Sequence, residues 1–231
     1  MAYNQFNQPV GEQLFDDSAG KPVDLICLTG KYCSVEKLSV KDHLEDLATF
    51  YVHDPVEQDW TYLPLSPFDN IEAFKAYLEE CETSEDPYYL VIRDNTSQTI
   101  IGMFSLLNYY LKNRSLEMGW VVYSRSLQGS RMATEAQYLV MTYVFEELHA
   151  RRYEWKCDSL NARSKKAANR LGFQYEGTFR QHSIYKGRTR DTSWFSIIDS
   201  EWPQLKSRFE RWLAPDNFGV DGVQKKSLDQ F

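Results

Sequence analysis

Along the chain, apolar positions alternate in short runs and then switch to spacings of three and four, the pattern of strands interleaved with helices. Val23 to Leu28 and Tyr32 to Leu38 read as strands, with the turn signal Thr29-Gly30 between them. A helix is expected from Val40 to Tyr51. Leu44, Leu47, Ala48 and Tyr51 make its apolar stripe, Ser39 stands at the N-cap, and Asp42 follows in a capping-box position. Asp54 to Phe68, Pro-containing and carrying Trp60 and Tyr62, reads as a loop. A second helix starts after Asp69, with Glu72 three residues on, and buries Phe74, Tyr77 and Leu78.

Beyond Pro87 the period becomes two. Tyr88 to Ile92, Ile100 to Tyr109 and Leu116 to Val122 are β-rich runs separated by Asp94-Asn95 and Lys112-Asn113, an antiparallel meander. Ala133 to Leu148 carries the strongest helical pattern, through Ala136, Leu139, Val140, Tyr143, Val144 and Leu148. Arg151 to Cys157 is a further strand, and Arg163 to Leu171 a short helix closed by Gly172. Aromatic strands follow around Phe173 to Phe179 and Thr192 to Ile198, then a last helix from Trp202 to Trp212. Strand–helix–strand across 116–157 requires one parallel pair in a mostly antiparallel sheet, hence a mixed α/β fold. The expected layout is an N-terminal arm over 1–22, one domain over 23–213 and a polar tail over 214–231.

Composition narrows the function classes. A chain of 231 residues suits one large domain. The 26 Lys and Arg against 33 Asp and Glu give a net charge of −7, which argues against a protein that tracks nucleic-acid phosphates. No apolar run approaches the ~18 residues of a membrane span. The start Met-Ala-Tyr-Asn-Gln-Phe lacks the basic and apolar regions of a secretory signal, so a cytoplasmic protein is expected. Cys27, Cys33, Cys81 and Cys157 show no Cys-x-x-Cys spacing, and His43, His53, His149 and His182 no i,i+4 pairing, so neither a metal site nor a disulfide framework is expected.

The chemistry concentrates in Gln128-Gly129-Ser130-Arg131-Met132-Ala133-Thr134, between a strand and the strongest helix. Unpaired N–H groups and the positive helix end make such a turn an anion site suited to pyrophosphate. Gly129 permits close backbone approach, Ser130 and Thr134 offer hydroxyls, and Arg131 a charge; the plainer reading is an ordinary capped helix start. Glu117 sits among the apolar Leu116, Met118, Trp120, Val121 and Val122. A carboxylate there is either a general base with a raised pKa or half of an ion pair with Lys156 or Arg152. Gly119 marks a bulge or a close approach. Asn161 is an N-cap with Ser164 in the first turn. Lys166 is either a phosphate contact or a solvated charge. Cys157 reads as a packed thiol, and Trp60, Tyr62, Phe68, Tyr109 and Tyr110 as an acceptor pocket or as core.

In order and spacing over roughly residues 30 to 200, the chain resembles the GNAT acetyltransferases. Gln128 to Ala133 is similar to their Gln/Arg-x-x-Gly-x-Gly/Ala loop, with Arg131 where the family has Gly. Asn161-Ala-Arg-Ser164 with Leu171-Gly172-Phe173 resembles the Asn-x-x-Ser…Leu-Gly-Phe stretch, and Glu117-Met-Gly119-Trp120 the Glu-Ile-Gly-Tyr strand of the RimJ/RimL-like branch. The resemblance implies acetyl-CoA as co-substrate and no metal. Gln128, Gly129, Ser130, Arg131, Met132, Ala133 and Thr134 would hold its pyrophosphate, with the main chain of Trp120, Val121 and Val122 and the side chain of Asn161 on the pantetheine. Glu117 would deprotonate the amine, and Ser164, or Tyr185 or Tyr175, would protonate the thiolate. The expected function is acetyl transfer to a primary amine of a small molecule held by Trp60, Tyr62 and Tyr109. A protein N-terminal α-amine is the alternative acceptor, and a non-catalytic CoA-binding or interaction module the alternative class. A closed aromatic pocket fits the metabolite, and a flat acidic groove the peptide. The chain is expected to act alone or as a homodimer, without nucleic acid or membrane.

Overall fold

The computed structural model describes residues 2–231. The chain opens with a hairpin of β1 (Ala2–Tyr3) and β2 (Pro9–Val10). It continues through β3 (Cys27–Thr29), β4 (Cys33–Lys37), α1 (Val40–Ala48), α2 (Ile71–Thr83), β5 (Tyr88–Asp94), β6 (Ile100–Tyr110) and β7 (Ser115–Tyr123). Then follow α3 (Arg131–Thr142), β8 (Arg152–Asp158), α4 (Ala162–Leu171), β9 (Gln174–Tyr185), β10 (Arg188–Ile198) and α5 (Trp202–Leu213). Eight strands form one sheet in the order β3-β4-β5-β6-β7-β8-β10-β9. Only β7 and β8 pair in parallel, joined through α3; all other neighbours are antiparallel. This is the expected mixed sheet with its single parallel pair.

Alternation along β5 divides the core. Tyr88, Leu90 and Ile92 face the cluster completed by α3 and α5, whereas Tyr89 and Val91 face the one completed by α1 and α2. No helix among the described residues is long and apolar enough to cross a membrane.

Several elements depart from the pattern for identifiable reasons. α1 and α3 stop at Ala48 and Thr142, and each runs on as a π-turn, Thr49–His53 and Tyr143–Glu147, closed by i+5 bonds at 2.8 and 3.0 Å. The apolar stripe continues through these turns, so its periodicity overran the true helix ends. The capping box at Ser39 does not form. Its hydroxyl donates to Asp42 Oδ2 at 2.7 Å, but its N–H goes to His43 Nδ1 at 3.0 Å. At α2 the cap is Asn70, accepting from the Ala73 N–H at 2.8 Å. β3 begins only at Cys27, because Asp24 and Leu25 bond to the hydroxyls of Tyr143 and Tyr88 at 3.2 and 2.8 Å instead of to a strand. β9 and β10 are longer than the pattern showed. β9 is the sheet edge and mostly exposed, so no alternation marks it, and both Lys186 and Gly187 take positive φ in the tight turn that follows.

Segment 214–231, polar in composition, folds back on the domain. Asn217 donates to Trp212 O and Lys226 O at 3.0 and 3.2 Å, and Leu228 is fully buried. A second tie joins the sheet edge to α3. The buried Glu135 carboxylate accepts the N–H groups of Lys31, Tyr32 and Cys33 at 2.8, 2.7 and 2.8 Å. Gly30 completes this nest, since a Cβ there would stand 2.7 Å from Glu135 Cδ.

Two predictions follow from this packing. Glu135→Gln leaves buried N–H donors without acceptors, so thermal denaturation should show a loss of about 3 kcal/mol or more, roughly 6–12 °C in midpoint; an unchanged midpoint would remove the nest from the stability of the fold. The second concerns His43, which is buried and accepts a backbone N–H. Desolvation, outweighing the Glu36 carboxylate at 3.5 Å, lowers its pKa below the usual imidazole value. The unfolded chain therefore takes the proton first as pH falls, and stability should drop below about pH 6.5 until the folded ring also protonates. Chemical denaturation between pH 7 and 5 should show this slope in the native protein and a flatter one in His43→Gln.

Candidate active site

The ladder between β7 and β8 runs from Ser115 opposite Arg152 to Met118 opposite Trp155 and stops there. β7 continues to Tyr123 paired with β6 alone, while β8 continues to Asp158 paired with β10. The two strands part, and the β8-facing edge of residues 119–123 is left open. The register with β6 shifts between Met103–Val122 and Ser105–Gly119, which is a bulge. The left-handed residue in it is Trp120, with φ +52°, not Gly119. A bulky residue in that region is strained and needs the surroundings to hold it; Trp120 and Val122 pack on the α1–α2 cluster and Val121 on the other. Gly119 answers a different need, because a Cβ there would stand 2.8 Å from Leu107 Cδ2.

The loop from Ser124 to Ser130 leads from this open edge into α3. Gly129 has φ +70°, and an added Cβ would meet nothing within 4 Å, so its backbone is bare on the outside. Ser130 caps α3 by accepting the Ala133 N–H at 3.1 Å, while the first N–H groups of the helix, those of Arg131 and Met132, have no intrahelical acceptor. The Arg131 guanidinium lies between two rings, 3.6 Å from the centroid of Tyr32 and 4.4 Å from that of Phe218. Stacking on both faces fixes it beside the loop. Thr134 is buried and its hydroxyl accepts from Arg170 Nη1 at 3.0 Å, so it is occupied inside the fold.

Glu117 is 7% exposed, and Oε2 accepts from both Lys156 Nζ and Asn108 Nδ2 at 2.8 Å. The ion pair that the sequence allowed is thus made with Lys156; Arg152 binds Glu154 and Glu176 instead. Glu117 Oε1 remains on the side of Gly119, 3.9 Å from where a Cβ would stand. Lys156 also meets Glu154 Oε2 at 2.9 Å and lies 3.8 Å above the Trp194 ring. Burial works against its ammonium, but the two carboxylates outweigh that and raise its pKa.

Across the gap, Asn161 Oδ1 accepts the Ser164 N–H at 3.0 Å, as a cap should. Ser164 Oγ accepts from Trp155 Nε1 at 2.9 Å. Tyr185 donates to Asp158 Oδ2 at 2.8 Å, and burial with that carboxylate pushes its phenol up to about 12. Tyr175 is exposed on the edge strand, bonded to Thr178. Lys166 is exposed on α4, and Cys157 is buried with its thiol pushed up by desolvation.

The three acceptor aromatics do not share a pocket. Trp60 is 3% exposed in the α1–α2 core, edge-on to Tyr51. Tyr109 packs on the opposite cluster, against Gly20 of the arm. Tyr62 alone lies by the cleft, donating to Leu160 O at 3.2 Å. The fold separates them because Trp60 sits in the turn between α1 and α2, on one face of the sheet, while Tyr109 lies on β6 and packs on the other. No sequence signal marks Asn108, Asp59 or Arg163, since a lone polar residue near a strand end, in a turn or at a helix start carries no pattern.

Comparison with known proteins accords with this architecture. A family model described as an acetyltransferase (GNAT) domain matches residues 37–174. A GCN5-related N-acetyltransferase from Brucella melitensis is 37% identical, with TM-score 0.92 over 94% of this chain and 98% of its own. The Bacillus subtilis protein YdaF, named as a ribosomal N-acetyltransferase, is 31% identical over 104 residues, 45% of this chain and 56% of its own length. A spermidine N-acetyltransferase from Vibrio cholerae, solved with CoA and spermine, shares the fold at 17% identity and TM-score 0.61, over 75% of this chain and 99% of its own. A domain match over more than half of the chain, added to the parted strands and the capped loop, makes this chain a member of the GNAT acetyltransferase family, and its relatives agree with the RimJ/RimL-like branch.

Proposed function

We propose that the chain transfers an acetyl group from acetyl-CoA to a primary amine by direct attack, in the cytoplasm. The observation that carries this is the cleft where β7 and β8 part, with an open strand edge on one side and the bare Gly129 backbone at the N-terminus of α3 on the other. These features fit acetyl-CoA: the main chain of Trp120 to Val122 would align the pantetheine, and residues 128–133, Arg131 among them, would hold the pyrophosphate. Asn161 and Lys166 would contact it from α4. Bound there, acetyl-CoA supplies an activated acetyl thioester.

Glu117 is the proposed base. Lys156 and Asn108 keep its Oε2 engaged, so Oε1, on the side where the strands part, takes the amine proton directly or through water. Ser164 is the proposed acid toward the thiolate, with Tyr185, bonded to Asp158, as the competing donor.

The small-amine preference rested on Trp60, Tyr62 and Tyr109 forming one pocket, and they lie apart. An open groove of about 780 Å³ on the β9–β10 hairpin, lined by Phe179, Arg180, Gln181, His182, Thr189 and Asp191, has room for an extended acceptor, although with Arg180 beside Asp191 it is not the acidic groove expected for a peptide. The proposed acceptor is therefore a polypeptide N-terminal amine, in line with the name of the Bacillus subtilis relative. A polyamine-like metabolite is the second reading, supported by the net charge of −7.

Acetyl-CoA at ~100 times its dissociation constant should stabilise the protein by about 2.7 kcal/mol, about 5–10 °C in thermal midpoint. No shift up to millimolar concentration would end the enzyme reading in favour of an interaction module. Glu117→Gln should lower kcat roughly a hundredfold or more in a thiol-release assay while leaving CoA affinity within about twofold. Wild-type turnover in that variant would remove Glu117 as base. Peptides with free N-termini compared with polyamines in the same assay decide the acceptor.

A further inference from the structure

Three side chains from three separate segments meet across the mouth of the β7–β8 cleft. Asp59 comes from the helical turn Glu57–Trp60, Gln128 from the loop before α3, and Arg163 from the first turn of α4. Gln128 Nε2 donates to Asp59 Oδ2 at 2.6 Å and to Tyr123 O at 3.1 Å. Arg163 Nη1 donates to Asp59 Oδ1 at 2.7 Å, and its Nη2 to Gln128 Oε1 at 3.1 Å. The carboxylate thus takes one donor from each wall, and the walls are bonded to each other. Behind Asp59, Trp60 O and Thr61 O accept from Lys186 Nζ at 2.8 Å and Arg188 Nη2 at 3.1 Å, which carries the 57–62 segment over the cleft to the β9–β10 hairpin.

A guanidinium and an amide N–H converging on an anion recognise phosphate as readily as carboxylate. Arg163 is 73% exposed, and an ion pair in water is cheap to exchange. Gln128 also opens the loop proposed for the pyrophosphate. We infer that Asp59 is an internal competitor of the co-substrate's phosphates: it holds Gln128 and Arg163 across the cleft, and a phosphate arriving there takes over both donors and releases the Asp59 carboxylate, while the backbone of 57–62 stays tied through Trp60, Thr61 and Tyr62. Arg163 is thereby a phosphate-binding residue and Asp59 a brake on affinity. This rests on the acetyl-CoA reading above.

Calorimetric titration of CoA, acetyl-CoA and the phosphate-free fragment pantetheine tests it, on the full chain and its Asp59→Asn, Arg163→Gln and double variants. Asp59→Asn should tighten CoA and acetyl-CoA about five- to tenfold at low salt and less at 0.5 M salt, and leave pantetheine unchanged. Arg163→Gln should weaken CoA several-fold, and the gain from removing Asp59 should shrink in that background. CoA affinity in folded Asp59→Asn equal to or weaker than wild type would overturn the inference and leave the acetyl-CoA reading standing. Failure of all four proteins to bind CoA at millimolar concentration would overturn both, whereas binding by Asp59→Asn alone would support the brake.

Discussion

Everything in the site depends on two parallel strands that stop pairing. A parallel ladder needs a crossover, here α3, and the crossover ties the loop at its start to the open edge of β7. Because β6 and β10 keep their hold on the outer sides, β7 and β8 separate without unravelling. The bulge at Trp120 turns β7 as it leaves, at the cost of a left-handed tryptophan that the α1–α2 core holds in place. Backbone donors and acceptors are thereby exposed inside a layered fold, where a sheet would otherwise consume them.

Rigidity around that gap comes from polar ties at its rim rather than from apolar packing alone. Glu135 clamps the β3–β4 turn to α3, and Arg131 is sandwiched between a ring from that turn and a ring from the C-terminal segment. On the far wall, Asn161 caps α4 while Trp155 bonds Ser164. The first two ties join elements distant in the chain, whereas those of the far wall are local. The Arg131 that stands where the resembled loop has glycine is held beside the loop as part of this frame, so its bulk need not obstruct it.

Charge is handled in the same way. Glu117, Lys156 and Glu154 form a half-buried alternation of signs with Asn108 and the Trp194 face filling the remaining sides. A buried ion cluster of this kind rarely adds much stability, since desolvation offsets the attraction. What it secures is orientation, fixing Oε2 on Lys156 and Asn108 and leaving Oε1 on the side of Gly119.

Local pattern determined much of this molecule. The meander, the α3 stripe, the Asn161 cap, the Gly172 terminus and the single parallel pair follow from periods of two and 3.6 and from turn chemistry, which act between residues a few positions apart. The order of Glu117, Gln128, Asn161 and Leu171-Gly172-Phe173 was legible as a family resemblance for the same reason. Only the tertiary structure decided who meets whom. That Lys156 rather than Arg152 binds Glu117, that Trp60 and Tyr109 lie on opposite faces, and that Asp59 reaches Gln128 and Arg163 depend on register and on loop paths over roughly 35 to 100 residues of chain. No periodicity spans such distances. Side-chain partners are chosen by packing after the backbone has set its layers, so pattern can name the candidates while the folded geometry alone pairs them.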